Sequence, residues 1–287
     1  MKAPLIVTHA HCGDGFCAAW VAHRALLARH PIPADILFAE YNDAPPDVEG
    51  RDVYITDFYY PRDKLEIMHM QANRLIVIDH HLTAATALKG LPYALFDHGE
   101  SGASLTWRYF HGNSRMPNLV KYVRDYDLWK FELNSSKEVN AWVATHSFDL
   151  LCWDEMNREL DLSSNMDKII YAGSTALSAE QRTVENHIEK AKTITLKGVE
   201  LLVCNATTLR SKVGDTLSKR SSSGAGAVWF MNEDGSVHWS LRADKSGRVD
   251  VRALAEKFPG GGGHTSAAGF KLSWVDHFNV LSQGGVL

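Results

Sequence analysis

A chain of 287 residues with 45% apolar content can bury one large core or two ordinary ones. Its 30 basic and 34 acidic side chains leave a formal charge of −4, which excludes a general field for long polyanions and confines any phosphate chemistry to a local site. Cys12, Cys17, Cys152 and Cys204 show neither paired ligand spacing nor disulfide-framework density, and with no signal-like run at MKAPLIVTHAH and no stretch near about 20 apolar residues, a soluble, cytoplasmic protein without a membrane partner is expected.

In chain order, PLIVTH (4–9), DVYITDF (52–58) and RLIVIDHH (74–81) read as strands, and each ends in acidic or imidazole side chains. The β-branched run from Leu75 to Ile78, bounded by polar residues, is that of an interior strand of a parallel sheet. CAAWVAHRALLARH (17–30) has helical periodicity and stops before Pro31, which gives a βαβ beginning. ASLTWRYF (103–110) and NLVKYVRDYDLW (118–129) continue as helices over the sheet. The polar stretch 175–192 is rich in helix formers and reads as a connecting helix. Beyond it GVELLVCNA (198–206), GAVWFM (226–231) and SVHWSLRA (236–243) alternate with turn-rich SSSGAG and NEDG, the pattern of a smaller mixed α/β domain with antiparallel strands. The expected division is therefore a parallel-sheet α/β domain over 1–178, a connecting helix over 179–195 and the smaller domain over 196–287.

Carboxyl ends of the strands of an open α/β sheet form the ligand crevice. HAHCGDG (9–15) supplies His9, His11, Cys12 and Asp14 there, DVYITDF supplies Asp57, and RLIVIDHH supplies Asp79, His80 and His81. A lone strand-end aspartate is ordinarily a cap or turn former, but recurrence at three strand ends points to metal ligation. Mixed carboxylate and imidazole donors suit Mn²⁺, Fe²⁺, Zn²⁺ or Mg²⁺ rather than Ca²⁺. Two such ions about 3.5–4 Å apart need a bridging carboxylate, a role that suits Asp57. In DYDLW (125–129), Asp125 and Asp127 point in different directions on a helix, and Asp125 is the favoured ligand.

In PGGGGHTSAAGF (259–270), the glycine run ends in His264 and continues into small apolar residues, a composition for close backbone packing. Gly261, Gly262 and Gly263 with His264 read as a phosphate cradle of converging backbone amides. Upstream, Arg242 at a strand end suits a bidentate grip on phosphate, whereas Lys245, Arg248 and Arg252 read as solvated charges. Tyr59 or Tyr60, following Asp57, could stack on a base; the eight tryptophans read chiefly as core.

IDHH at 78–81 and GGGGHTSAAGF at 260–270, with HAHCGDG, ITDF, DYDLW and SLRAD in the expected order, resemble the DHH phosphoesterase superfamily in its DHHA1 branch. The resemblance covers nearly the whole chain. It implies a two-metal phosphohydrolase, usually Mn²⁺-dependent, with its active site in a cleft between a DHH domain and a DHHA1 domain. It further implies that His9 and Asp57 hold one ion, that Asp14, Asp57, His80 and Asp125 hold the other, that Asp79 orients His80, and that His81 lies nearest the phosphate. One departure stands out: Cys12 occupies the place of the first acid of the family's D-x-D motif. A thiolate there would favour softer ions, whereas an uninvolved thiol would leave the first metal weakly held.

The expected activity is hydrolysis of the 3′–5′ phosphodiester of very short 5′-phosphorylated oligonucleotides, above all linear dinucleotides, by a monomer or homodimer that does not take long nucleic acid. Alternatives within the superfamily are a 3′-phosphoadenosine 5′-phosphate phosphatase and a cyclic dinucleotide phosphodiesterase. A nucleotide sensor that binds without hydrolysis is the alternative from another class.

Overall fold

The computed structural model describes residues 2–41, 43–244 and 246–282. The chain divides into two compact units, Met1–Leu177 and Ser178–Leu287.

In the first unit, β1 (Leu5–His9), β2 (Asp35–Ala39), β3 (Asp52–Thr56), β4 (Arg74–Asp79) and β5 (Ala94–Phe96) form an all-parallel sheet in the order β2-β1-β3-β4-β5. Alternation along the strands feeds two layers. Leu5, Val7, Val53, Ile55, Leu75 and Val77 pack with Leu65 and Met68 of α2 (Arg62–Gln71) and Leu88 of α3 (Ala84–Leu88). Ile6 and Tyr54 face the other way, against Ala19, Ala22 and Leu26 of α1 (Gly13–Leu27) and Phe110 of α4 (Gly102–His111). With both faces covered, the central strands must be apolar throughout, as their sequences are. A further helical layer is formed by α5 (Asn118–Asp127), α6 (Ser136–Ala144), α7 (Leu150–Asp161) and the start of α8 (Met166–Ile188); Trp153 at its centre is fully buried.

The strand order positions the site. From β1 the chain goes to β2 on one side, then returns to β3 on the other, so connections leave β1 and β3 in opposite directions. Crevices open at such a switch point, above the carboxyl ends of those two strands. These are the ends that carry His9 and Asp57.

In the second unit, β6 (Lys192–Leu196), β7 (Val199–Asn205), β8 (Ala225–Met231), β9 (Val237–Ala243), β10 (Gly262–His264) and β11 (Ala267–Leu272) form a mixed sheet in the order β10-β11-β9-β8-β7-β6. Only β7 and β8 pair in parallel, through the crossover helix α9 (Arg210–Arg220). Trp239, Leu241 and Phe270 pack on one face with α10 (Val251–Ala255) and α11 (Trp274–Ser282). Val213 and Leu217 of α9 cover Val228 on the other.

The sequence expectations differ from this in several places. The helix expected over 179–195 runs from Met166 to Ile188, and Lys192–Leu196 is strand. Several elements lie outside the sequence expectations, β2, α6 and α7 among them; β2 is partly exposed although Ile36–Ala39 is apolar. The glycine run is not an open nest: Gly262–His264 is an edge strand paired antiparallel with β11. Gly263 has φ +139°, and a Cβ there would meet Ala267 O at 2.6 Å, so glycine serves close backbone pairing. Among the described residues no helix is long and apolar enough to cross a membrane.

Candidate metal centre

Two glycines let three segments meet at the switch point. α1 begins at the end of β1 with Cys12 as its N-cap, and a Cβ on Gly15 would stand 2.8 Å from His9 O and 3.1 Å from Asp57 Oδ2. A Cβ on Gly102, the first residue of α4, would stand 2.5 Å from the Cβ of Asp57. Asp57 itself is fully buried and left-handed at φ 55°, a conformation that a non-glycine residue adopts only where its surroundings impose it.

Donor atoms converge on this point. His80 Nε2 lies 3.2 Å from Asp57 Oδ1, 3.5 Å from Asp127 Oδ2 and 4.0 Å from Asp14 Oδ2. The backbone N–H of Ala103, at the start of α4, donates to Asp14 Oδ1 at 3.2 Å and holds that buried carboxylate in place. Asp79 Oδ1 accepts from the backbone N–H groups of His80 and His81 and stands 2.7 Å from His81 Nδ1. The resemblance implied that Asp79 orients His80; instead its side chain fixes the imidazole of His81, because the chain turns sharply after β4 and brings that ring back over the carboxylate.

Among the described residues, ligand-capable atoms within 4.8 Å of one another fall into three sets: His9, Cys12 and Asp57; Asp14, His80 and Asp127; and Asp57, Asp79, His80 and His81. Asp57 belongs to two of them. His9 Nδ1, Asp57 Oδ1, Asp79 Oδ2 and His80 Nε2 are buried without an aligned hydrogen-bond partner. Orphaned donors of this kind, nitrogen and oxygen mixed, fit divalent transition ions or Mg²⁺.

Electrostatics agree with that fit. Burial, then the charge of Asp14, raises the Asp57 carboxyl, and the same two causes raise Asp127. Burial opposes a charged His80, but Asp57, Asp14 and Asp127 together raise it to about 9. The Asp79 hydrogen bond raises His81, whereas burial and then the nearby His81 lower His9. Burial, then Asp57 and Asp14, raise the Cys12 thiol, whose S–H donates to Asp57 Oδ2 at 3.4 Å. Crowded carboxylates taking up protons in this way mark a place where a cation would be stabilised.

Asp125 is corrected as a ligand candidate. Its carboxylate accepts from the backbone N–H groups of Glu132 at 2.9 Å and Leu133 at 3.3 Å, tying down the turn after α5, and Asp127 faces the cluster in its place. The D-x-D spacing signalled that only one of the two could point inward; which one depended on amides seven and eight residues downstream. His11 is exposed and lies 3.6 Å from Glu40. Tyr60 is buried and Tyr59 packs on Tyr41, whose ring lies 5.2 Å from His9. Beside His11 opens a cavity of about 440 Å³ lined by Ala10, Phe38, Glu40, Asp43 and Phe148. Both phenylalanines there stack on Phe16, at 5.8 and 5.0 Å.

In the second unit His264 pairs with Ala267, and Ala267 with Arg242, so the imidazole and the guanidinium lie in one cross-strand row with only a methyl group between. Arg242 Nη2 donates to Ser211 Oγ at 3.1 Å. Gly261 is half-buried and pressed against Ala255, where a Cβ would meet the carbonyl oxygen at 1.9 Å. Arg248 pairs with Asp244, Arg252 lies near Asp250 and Glu256, and Lys245 lies outside the described residues.

Comparison with known proteins places this geometry. Residues 202–283 match the DHHA1 domain family. An uncharacterized protein of Acanthamoeba polyphaga mimivirus is 27% identical over 96% of this chain and 68% of its own length. Among solved structures, the DHH domain of a member of a family of ribosomal proteins matches with a TM-score of 0.60 at 15% identity, covering 97% of this chain and 85% of that one. The pGpG-specific phosphodiesterase PggH of Vibrio cholerae matches at 0.55 and 16% identity, covering 98% and 97%. Exonuclease RecJ bound to manganese matches at 0.54 and 14%, covering 99% and 89%. The Asp-His-His triplet closes β4 at the switch point of a parallel sheet, residues 202–283 form a DHHA1 domain, and the fold is that of the DHH-domain structures.

Proposed function

We propose that the protein is a metal-dependent phosphodiesterase that cleaves the 3′–5′ bond of very short 5′-phosphorylated oligonucleotides, linear dinucleotides above all. The observation that carries this reading is the convergence of Asp14, Asp57 and Asp127 on His80, with Asp57 shared between that group and the one containing His9. Similarity to a pGpG phosphodiesterase and to an exonuclease solved with manganese supports it.

His9 and Asp57 would hold one divalent ion and Asp14, Asp57, His80 and Asp127 the other, Mn²⁺ being our assignment for the second. When bound, such ions supply Lewis acidity toward the phosphoryl oxygens and lower the pKa of the attacking water. His81 uses Nδ1 on Asp79, which leaves Nε2 to face a phosphate, and the Asp79 hydrogen bond raises the pKa of the ring and so favours its protonated form. Arg242 and His264 are assigned to the terminal 5′ phosphate; Gly261 is not available to it as a donor, since its N–H donates to Phe258 O at 3.0 Å. The cavity flanked by Phe38 and Phe148 has room for one base, on which exposed aromatic rings can stack. A net charge of −4 gives long nucleic acid no extended surface.

The test is hydrolysis of a panel of 5′-phosphorylated dinucleotides, longer oligomers, cyclic dinucleotides and 3′-phosphoadenosine 5′-phosphate with Mn²⁺, alongside Asp57→Ala and His80→Ala. Turnover confined to dinucleotides and lost in both variants supports the reading. Preference for the monoester or the cyclic compound would replace the substrate, and binding without turnover at any metal would make the protein a sensor.

A further inference from the structure

We propose that Cys12 is a thiolate ligand of the His9 and Asp57 half of the centre, so that this half takes Zn²⁺, Fe²⁺ or Co²⁺ while the Asp14, His80 and Asp127 half takes a harder ion. The inference deepens the two-ion reading above and rests on it.

Cys12 Sγ, His9 and Asp57 place one donor atom each within 4.8 Å of one another. Two of those groups await a partner: His9 Nδ1 is buried without a hydrogen bond, and Asp57, fully buried, has Oδ1 without an aligned donor. The sulfur is already held on two sides, by Asp57 Oδ2 at 3.4 Å and by the Gly15 N–H at 3.5 Å. That N–H belongs to the first turn of the 15-residue helix α1, whose amino end favours a negative charge on its cap. Capping alone does not explain the residue, since serine, aspartate or asparagine would cap better than cysteine. Left-handed His11 at φ 56° turns the chain so that Cys12 and His9 face the same point.

Ion binding breaks the S–H bond: the proton leaves to solvent, the sulfur lone pair enters the bond to the ion, and nothing is oxidised or reduced. A thiolate beside an imidazole and one carboxylate selects softer ions, whereas two carboxylates and an imidazole select Mn²⁺ or Mg²⁺.

The experiment is zinc-edge X-ray absorption on the unaltered chain loaded with Zn²⁺, together with Co²⁺ absorption spectra of that chain and of Cys12→Ser and Cys12→Asp. A sulfur scatterer at about 2.3 Å is expected, the distance of a zinc–thiolate bond. The near-ultraviolet thiolate-to-cobalt band should be present in the unaltered chain and absent from both variants, which still contain Cys17, Cys152 and Cys204. Zn²⁺ should bind Cys12→Ser roughly tenfold or more weakly, and Cys12→Asp should shift preference toward Mn²⁺. Ions bound through nitrogen and oxygen alone, or a cobalt spectrum indifferent to Cys12→Ser, would overturn the thiolate while sparing the two-ion centre. Failure of the unaltered chain to bind either ion would overturn both.

Discussion

His81 Nδ1 stands 2.7 Å from Asp79 Oδ1, and the same carboxylate oxygen accepts the backbone N–H groups of His80 and His81. One fully buried aspartate thus anchors the turn after β4 and raises the pKa of the imidazole assigned to the phosphate. Asp79→Asn should keep most of the turn while removing the cause that raises His81. Because a raised histidine loses its proton at higher pH than usual, the alkaline limb of kcat should move to lower pH in the variant, with kcat falling more than KM rises. A kcat–pH series with histidine NMR titration checks this; an unmoved limb would show that His81 is not the titrating donor.

Asp125 and Asp127 should separate cleanly. Asp125→Ala strands the Glu132 and Leu133 amides, so stability should drop by about 1–3 kcal/mol, while the folded fraction retains activity. Asp127→Ala should leave stability nearly unchanged and abolish tight Mn²⁺ binding. Urea unfolding and calorimetric Mn²⁺ titration read the two effects independently, and the reverse pattern would restore Asp125 as the ligand.

Gly102 admits no side chain, since its Cβ would fall 2.5 Å from that of Asp57. Gly102→Ala must push the α4 terminus or Asp57 aside, at a cost of about 1–3 kcal/mol. It should also weaken cation binding, because Asp57 sits in two of the three donor sets. Thermal unfolding and Mn²⁺ affinity measured on one preparation test whether the two losses travel together.

Removing cations should make stability fall with rising pH. Burial raises the Asp57 and Asp127 carboxyls, so stability is lost as pH climbs from the ordinary carboxylate range through their raised values. Added Mn²⁺ should therefore raise Tm more at pH 8 than at pH 5, the total stabilisation reaching about 2.7 kcal/mol where Mn²⁺ stands at 100 times its Kd. Scanning calorimetry with chelator and with Mn²⁺ at each pH measures it. An equal shift at both values would mean that the carboxylates are not the ligands.

Phe148 tests the base site. Phe148→Ala removes one exposed ring from the cavity beside His11 and should cost about 1–3 kcal/mol of base stacking. The loss is expected in KM for dinucleotides, with kcat little changed. Steady-state kinetics that show an unaltered KM would move the base elsewhere.

Short-range order is legible in the chain alone. The apolar runs of β1, β3 and β4 mark buried strands, and because polar groups can follow a strand only at its end, His9, Asp57 and the Asp79–His81 triplet are forced to the sheet's carboxyl edge. The motif order and the glycine run likewise carry the resemblance to DHH and DHHA1 sequences, and residues 202–283 match the DHHA1 domain. The tertiary structure decided the rest. Half-exposed β2 pairs with the outer side of β1, and that choice alone makes the β1–β3 boundary the switch point where the donors meet. Asp127 rather than Asp125 faces the centre because the backbone amides of Glu132 and Leu133 claim the latter, and Asp79 serves His81 because the turn after β4 brings that ring back. The glycines near 262 become an edge strand because β11 offers them a partner. These outcomes turn on hydrogen bonds, some local and some between separate segments, whose geometry no periodicity or motif spacing records.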